Sequence, residues 1–391
     1  MYKRKSALKY KKEAIQDKSL LFIVAGLLLF GLVIIFNTTT VQSLKIFGDA
    51  NRFFINHIIW LLIGLMVFLL MYKINILKII TLNKFFYIFS LMFLVILALA
   101  SFIPCEQPLI FARCENEANR WFYFNPTPLP QIPLIGEIGF QPSEFAKFTL
   151  ILFLGVQLSI SYKKKYRHFW NYLFASGAYA GLILLQPNMS TAVTVFAIGT
   201  FMYLASGASI KPLIIMTPLI LLLGFIFIVS TPYRRERLAT YLKPNETSLD
   251  SDEAYQIKQA KIALGSGGLF GKGFGESRQK YGYTPEIASD ATFAIVGEEF
   301  GFIGVTILLF VYGGLIYKGM LIAKRSDDPV FSLIAVGITT WIGLQVLVHV
   351  CSNAGIIPYT GMTLPLISYG GSSLVFTLMG LGLLANINKS I

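Results

Sequence analysis

Hydrophobic residues in this chain run in long blocks and do not alternate with polar ones. Ten apolar windows recur, each close to the roughly 20 residues that a helix needs to cross a bilayer. The pattern predicts an all-α integral membrane protein with about ten transmembrane helices. The predicted spans are 19–36, 53–72, 86–103, 145–160, 169–185, 189–205, 212–230, 291–317, 331–350 and 370–387.

Basic residues between the spans predict the orientation. Lys and Arg concentrate in alternate short connections, "KINILKIITLNK", "YKKKYR" and "YKGMLIAKRSDD", and such connections stay in the cytoplasm. An even number of spans then puts both termini inside. The organisation is a basic cytoplasmic tail over 1–18 and a membrane domain over 19–390. The segments predicted outside are 104–144, 231–290 and 351–369.

Composition excludes a water-soluble globular protein. The chain is 55% hydrophobic and 14% charged. Its net charge of +13 is interpreted as an inner-face anchor on anionic membrane lipids. No aromatic-and-basic motif accompanies the charge, so no nucleic-acid partner is expected. Cys105 and Cys114 fall in one outside loop, where an oxidising compartment predicts a disulfide, with two free thiols as the alternative.

Polar residues gather in the outside segments. They indicate a shared extracytoplasmic cavity, with separate solvated loops as the alternative. Within the longest segment, 254–264 has the spacing of an amphipathic surface helix. The glycine-rich run 265–277 that follows lacks the P-loop pattern. Its glycines are expected either to bend over a lipid headgroup or to break the helix.

Charged residues at the membrane border are the candidate chemistry. Glu144 and Lys147 follow Pro142 and can pair on one helix face, with a functional or a purely structural role. Glu298 and Glu299 lie inside a predicted span, so each needs a partner or a cavity. Taken alone, Asp290 is a good N-cap for the eighth span. The sequence shows no Ser-His-Asp arrangement, and His349 is expected to cap a helix or to hydrogen-bond between helices.

Four sequence blocks, in the same order, resemble motifs of the SEDS family (shape, elongation, division and sporulation). They are "FQPSEFAK", "YQIKQAKIALGSGGLFGKGFGESRQKYGYTPEIASD", "FAIVGEEFGFIG" and "IIPYTGMTLPLISYGGSSL". The resemblance runs from the first span to the last. It implies a ten-span peptidoglycan glycosyltransferase that polymerises lipid II outside the bacterial cytoplasmic membrane. The implied partners are a class B penicillin-binding transpeptidase and other divisome components, because "GESRQKYGYTPE" looks more like the division and sporulation members.

The resemblance also implies roles for individual residues. Asp290 matches the essential aspartate, and chemically it can act as the general base for the attacking sugar hydroxyl. Glu298 and Glu299 are expected to organise the site. The lipid pyrophosphate needs cations, and a divalent ion, Mg²⁺ or Mn²⁺, is open as the only cofactor. The predicted substrate-binding residues are Arg120, Trp121, Glu144, Lys147, Arg234, Arg237, Lys280, Glu286, Ser368 and Ser372, with Arg235 and Arg278 as further cations.

The chain also departs from the usual family pattern. Ala291 and Thr292 replace Phe-Ile after the aspartate, and His349 replaces an asparagine. Asn188 and Ser190 replace Asp and Gly, which puts an acidic or metal-binding role there in doubt. Two other functions remain open on sequence: a lipid II flippase, which also needs intramembrane charge, and a noncatalytic scaffold that recruits the transpeptidase.

Overall fold

The computed structural model describes most of the chain. Residues 1–17 of the predicted basic tail, and Arg234, Arg237, Pro285 and Glu286, lie outside the described residues. The described residues are 18–105, 109–114, 118–132, 136–160, 166–229, 235, 241, 252–281 and 288–391.

The described part of the chain is mostly helical. A single pair of antiparallel strands, β1 (Phe122–Tyr123) and β2 (Gly139–Phe140), lies within 104–144, a segment that the sequence predicts to be outside. A 3₁₀ turn covers Gln279–Tyr281. The helices are α1 (Ser19–Phe47), α2 (Arg52–Lys73), α3 (Ile76–Thr81), α4 (Asn83–Ala100), α5 (Pro142–Ser159), α6 (Tyr166–Leu185), α7 (Met189–Ala205), α8 (Lys211–Val229), α9 (Asp252–Ser266), α10 (Thr292–Arg325), α11 (Pro329–Asn353) and α12 (Gly371–Ser390).

Each of the ten predicted spans coincides with one long helix of the described part, which confirms the all-α membrane fold. By length and composition, α1, α2, α4, α10, α11 and α12 can cross a membrane. Helix α7 and most of α8 are apolar but shorter. Helix α9 confirms the helix predicted over 254–264, and its buried Ala260 and Ala263 pack against Ala294 of α10.

Local sequence explains several helix boundaries. Pro142 occupies the first turn of α5, where its missing N–H costs nothing. Asp328 caps α11 by accepting a 2.8 Å hydrogen bond from the Val330 N–H, and Asn75 caps α3 in the same way. Gly48 ends α1 in the left-handed conformation. These residues determine where the helices begin and end. The buried apolar faces then pack α12 against α2 and α10 against α11.

Helix α10 is interrupted at Gly301, and the glycine-rich segment forms hydrogen bonds with the backbone groups on both sides of the interruption. Gly301 has φ 66° and ψ −168°, a conformation essentially restricted to glycine. The Lys272 and Gly273 N–H groups donate to the carbonyls of Glu298 and Glu299, at 3.0 and 3.1 Å. In return, the N–H groups of Phe302 and Ile303 donate to the carbonyls of Gly268 and Leu269, at 2.9 and 3.1 Å. The glycines therefore allow the backbone of this segment to lie close to α10. Neither sequence-based interpretation, a bend over a lipid headgroup or a helix break, included this role.

We expect Gly301→Ala to destabilise the protein by about 1–3 kcal/mol or more, because alanine cannot adopt this backbone conformation without strain. The added Cβ would also lie 2.3 Å from the Gly271 nitrogen. Gly313→Ala, in the same helix with nothing within 4 Å of its Cβ, is the matched control and should be neutral or stabilising by up to about 1 kcal/mol. Thermal unfolding in detergent measures both, and equal transition temperatures would contradict the strained kink.

The loop between α4 and α5 is cross-linked. Cys105 and Cys114 form a disulfide with a Cα–Cα distance of 5.4 Å, which confirms the predicted bond. Arg113 and Glu137 form a 2.8 Å ion pair. Although burial alone would raise the pKa of Glu137, hydrogen bonds from Thr127 and the charge of Arg113 hold that pKa below its ordinary value. The disulfide and the ion pair therefore cross-link described parts of this loop.

Candidate functional site

Asp290 lies at the head of α10, in the turn before the helix begins. The residue is buried, with 8% of its surface exposed. Its backbone carbonyl accepts a 2.9 Å hydrogen bond from the Asn353 amide, and its Oδ2 lies 3.1 Å from where a Cβ on Gly361 would be. A glycine at 361 therefore leaves room for the carboxylate.

The interpretation of Asp290 as the helix N-cap is wrong. The N-cap residue is Ala291, whose own side chain makes no capping hydrogen bond. Helix α11 supplies the acceptors instead. The His349 Nε2 faces the Phe293 N–H at 3.4 Å, and the Asn353 Oδ1 faces the Ala294 N–H at 3.3 Å. Side chains of α11 therefore cap the Phe293 and Ala294 N–H groups at the start of α10.

His349 joins helices, as the sequence predicted. Its Nδ1 lies 2.6 Å from the Met362 carbonyl oxygen, while its Nε2 faces a backbone N–H. This pattern fits the neutral tautomer with its proton on Nδ1. A histidine can thus bridge α10 and α11 at the position where the family usually has asparagine.

Residues 354–370, here called the return segment, connect α11 to α12 and bind the turn that carries Asp290. The Tyr369 N–H donates to the Ala288 carbonyl at 2.7 Å. The Ser368 hydroxyl donates to the Thr292 hydroxyl and accepts from the Leu364 N–H, both at 2.9 Å. Ser368 was predicted to bind substrate, but its hydroxyl is buried and occupied with these contacts.

The predicted pair of Glu144 and Lys147 exists and is buried. The Lys147 Nζ donates to Glu144 Oε1 at 2.5 Å and to Gln345 Oε1 at 3.1 Å, and it lies 5.0 Å from the centre of the Trp341 ring. The Gln345 amide donates in turn to the carbonyl of Thr363 in the return segment, at 3.0 Å. The pair is therefore linked by hydrogen bonds to the segment that packs against Asp290.

Burial changes the interpretation of Lys147. The residue has 0% of its surface exposed, and its ammonium donates to Glu144 and Gln345, which suits a structural cation better than direct contact with a pyrophosphate. Glu144 Oε2 is buried without a hydrogen-bond partner among the described residues. Ser372, another predicted substrate residue, is buried and accepts from the Gln141 N–H at 3.1 Å, so it supports the start of α5.

Glu298 and Glu299 hold the glycine-rich segment in place, consistent with their predicted organising role. Glu298 pairs with the Lys272 Nζ and accepts from the Ser277 hydroxyl, both at 2.6 Å. Glu299 accepts from the Asn37 Nδ2 with both carboxylate oxygens, at 2.6 and 2.7 Å. The two acids therefore have the partners that their position requires.

Asn37 is the functional residue that sequence analysis missed. Its Oδ1 accepts a hydrogen bond from the Lys280 Nζ at 3.1 Å, while its Nδ2 donates to Glu299. One amide thus bridges an anion and a cation, its donor side facing Glu299 and its acceptor side facing Lys280. The available signal was an isolated polar residue at the end of the apolar run of α1, in "IIFNTTT".

We expect Asn37→Asp to destabilise the protein by about 1–3 kcal/mol, because a carboxylate cannot donate and leaves Glu299 facing a like charge. The matched control is Asn75→Asp at the cap of α3, where Asp accepts the Leu77 N–H as well as Asn does. Thermal unfolding of both variants measures the difference. If the two shift the transition equally, the Asn37 bridge is not stabilising.

Arg120 binds backbone carbonyls in the turn between α6 and α7. Its Nη2 donates to the Pro187 oxygen at 2.7 Å, and its Nε reaches the Gln186 oxygen at 3.4 Å. Trp121 is half-buried beside β1. Asn188 caps α7 by accepting from the Thr191 N–H at 3.3 Å, a structural use in keeping with the doubt about an acidic role there. These contacts join the α4–α5 loop to the membrane domain.

The remaining predicted cations lie at different depths. Lys280 is buried, with 9% of its surface exposed, whereas Arg235 and Arg278 are exposed. Among the described residues, no three His, Cys, Asp or Glu side chains come together to hold a metal ion. The divalent cation therefore stays a prediction, and no chemical step is derived through it.

Comparison with known proteins identifies relatives over nearly the whole chain. The family model for cell cycle proteins of the FtsW, RodA and SpoVE type matches residues 18–391. The probable peptidoglycan glycosyltransferase FtsW of Bacillus subtilis is 34% identical over 394 residues, which is 96% of this chain and 91% of that protein. Stage V sporulation protein E of the same organism is 40% identical over 259 residues, 65% of this chain and 70% of that protein.

Solved structures resemble the fold closely. The rod shape determining protein RodA of Thermus thermophilus superposes with a TM-score of 0.67 at 25% identity, covering 97% of this chain and 98% of that chain. A chain from a peptidoglycan synthase complex that coordinates polymerization and crosslinking superposes with a TM-score of 0.76 at 26% identity, covering 96% of this chain and 98% of that chain.

Proposed function

This chain belongs to the FtsW, RodA and SpoVE family of cell cycle proteins, and on that basis we propose that it is a peptidoglycan glycosyltransferase. It is a multi-pass membrane protein that polymerises lipid II on the outer side of the bacterial cytoplasmic membrane, with both termini inside. The similarity to FtsW over 96% of the chain supports a role in septal wall synthesis during division.

The observation that carries the proposal is the position of the Asp290 carboxylate. It lies at the head of α10, buried against Gly361, while His349 and Asn353 cap the helix. A buried carboxylate at this position can accept a proton from an attacking hydroxyl. Hydrogen bonds from the return segment and from α11 hold the backbone of its turn in place, and a fixed position is what general base catalysis requires.

The reaction needs one base and one stabilised leaving group. The acceptor sugar hydroxyl attacks the anomeric carbon of the donor and passes its proton to the Asp290 carboxylate. The new glycosidic C–O bond forms as the bond to the lipid pyrophosphate breaks, and the pyrophosphate leaves with the electron pair. A single carboxylate suffices with such a leaving group, and the anomeric configuration inverts.

Cations of the long outside segment are proposed to receive the pyrophosphate charge. Lys280 is held beside Asn37, and Arg278 is exposed two residues before it. Arg234, Arg235 and Arg237 are further candidates of the same segment. Fixed positive charge at the leaving group stabilises the transition state more than the ground state. Lys147 is assigned to the structural network instead.

We also propose a class B penicillin-binding transpeptidase as the partner. The similar chain in a solved peptidoglycan synthase complex supports this assignment. In such an assembly, the strand made at Asp290 passes to the crosslinking enzyme. Lipid II and the surrounding lipids are the other proposed partners.

Polymerisation of labelled lipid II by the purified protein in vesicles tests the function. The assay is run alone and with the cognate transpeptidase, whose catalytic serine is replaced so that only glycan synthesis is scored. A ladder of glycan chains is the expected result. If no polymer forms with the partner present, the proposal fails: movement of lipid II between leaflets would then favour a flippase, and its absence a scaffold.

A further inference from the structure

The glycine-rich segment carries large apolar side chains that the protein leaves uncovered. Leu269, Phe270 and Phe274 have 63%, 79% and 52% of their surface exposed. They lie after the end of α9, in a segment predicted to be outside the membrane. Exposed aromatic residues this large normally contact another apolar phase.

Hydrogen bonds fix the segment at one level of α10. Gly268 and Leu269 accept from the N–H groups of Phe302 and Ile303. Residues 292–299 are buried in the protein, whereas α10 exposes apolar side chains from Phe302 onward, including Phe310 at 76%. Leu269 and Phe270 therefore continue the exposed apolar face of α10 at its outer end.

The length of α10 locates the hydrocarbon boundary. The stretch from Phe302 to Arg325 rises about 1.5 Å per residue, or roughly 35 Å, slightly more than the roughly 30 Å of a hydrocarbon core. Helix α1 agrees, because Asn37, which contacts Glu299, lies roughly 27 Å along the helix from Ser19 at that rise. The outer edge of the hydrocarbon thus falls near Phe302, level with Phe270.

The residues around the exposed apolar side chains are mainly basic, and their charge suits a region of lipid headgroups. Lys272 follows Phe270 by two residues, and its side chain is 30% exposed while it pairs with Glu298. Lys261 and Arg278 are exposed on either side in sequence. The one exposed acid among the described residues of the segment is Glu276. Exposed apolar side chains flanked by basic residues are typical of segments that lie in the membrane interface.

We propose that residues 268–274 form a membrane-anchoring loop, which inserts Leu269 and Phe270 among the outer-leaflet phospholipids. The occupant is lipid, because the loop continues the face of α10 that already meets lipid. The same backbone repairs the break at Gly301 and positions Glu298 and Glu299. Lipid contact therefore sets the height of the long outside segment relative to the membrane, independently of the reaction that the protein catalyses.

Spin-label depth measurements in vesicles test the loop. The full chain carries Cys351→Ser, which leaves the Cys105–Cys114 disulfide as the only other cysteines. Nitroxide is attached in turn at Phe270→Cys, at Phe310→Cys as the lipid reference and at Glu276→Cys as the water reference. Vesicles contain phosphatidylethanolamine and phosphatidylglycerol. Collision rates are measured with oxygen, which concentrates in lipid, and with a polar nickel chelate, which stays in water.

At position 270 we expect an oxygen-to-nickel ratio at least about threefold above that at position 276, approaching the ratio at 310, for a side chain inserted roughly 5–10 Å. Leu269→Cys provides a second label should the first variant fail to fold. A ratio equal to that at 276 would overturn the proposal. Protection from both reagents would also overturn it, because protein would then cover the loop.

Discussion

Replacing Asp290 with asparagine is expected to lower the rate of glycan polymerisation by on the order of 10²- to 10⁴-fold. The amide is nearly isosteric with the carboxylate but cannot accept the proton of the attacking hydroxyl. The Asn353 hydrogen bond to the backbone carbonyl of Asp290 is unaffected, and so is the capping of α10 by His349 and Asn353. The fold should therefore survive a change that removes the base.

The kinetic pattern separates loss of chemistry from loss of binding. With purified protein and labelled lipid II, kcat should fall while KM changes little, because the carboxylate acts in the transition state. The acidic limb of the pH–rate profile should also disappear with the base. Glu276→Gln, at an exposed acid of the same outside segment, is the matched control and should retain native activity. Full activity of Asp290→Asn would remove Asp290 from the mechanism.

Hydropathy predicts the number of spans well because the bilayer imposes a minimum apolar length on each helix. It does not predict where the helices end. The first span was predicted to stop at Phe36, yet α1 continues through "NTTTVQSLKIF" to Phe47. A helix keeps its backbone hydrogen bonds after it leaves the hydrocarbon. A search for apolar windows therefore does not detect the polar residues that continue the helix. The extension matters, because Asn37 belongs to it.

Only part of the candidate site could be predicted from the sequence, because some of its contacts join residues that are far apart along the chain. The Glu144–Lys147 pair is local, three residues apart on one helix, and was predicted. The bond from Asn37 to Glu299 joins residues 262 positions apart, and no local pattern encodes such a contact. Likewise, sequence favours Asp290 over Ala291 as the N-cap of α10, yet Ala291 occupies that position because side chains of α11 accept the N–H groups of Phe293 and Ala294. Tertiary packing, not propensity, decides which group caps the helix.

Lys147→Met is expected to be the most destabilising substitution, at about 3–5 kcal/mol. Methionine keeps an unbranched side chain only one atom shorter than that of lysine, but it leaves the Glu144 carboxylate buried with no cation. Glu144 Oε2 already lacks a partner among the described residues, so the remaining oxygen would lose its ion pair as well. As a control, Arg113→Met breaks the half-exposed pair with Glu137, which should cost no more than about 1 kcal/mol.

The double variant Glu144→Gln, Lys147→Met distinguishes a structural pair from a substrate-binding one. Removing both charges eliminates the uncompensated anion, so stability should return to within about 1–2 kcal/mol of native. Because the pair acts on the return segment through Gln345 and Thr363, polymerisation of lipid II should recover together with the unfolding temperature. A double variant that is stable yet inactive would instead place Glu144 in contact with the substrate, as the family resemblance first implied.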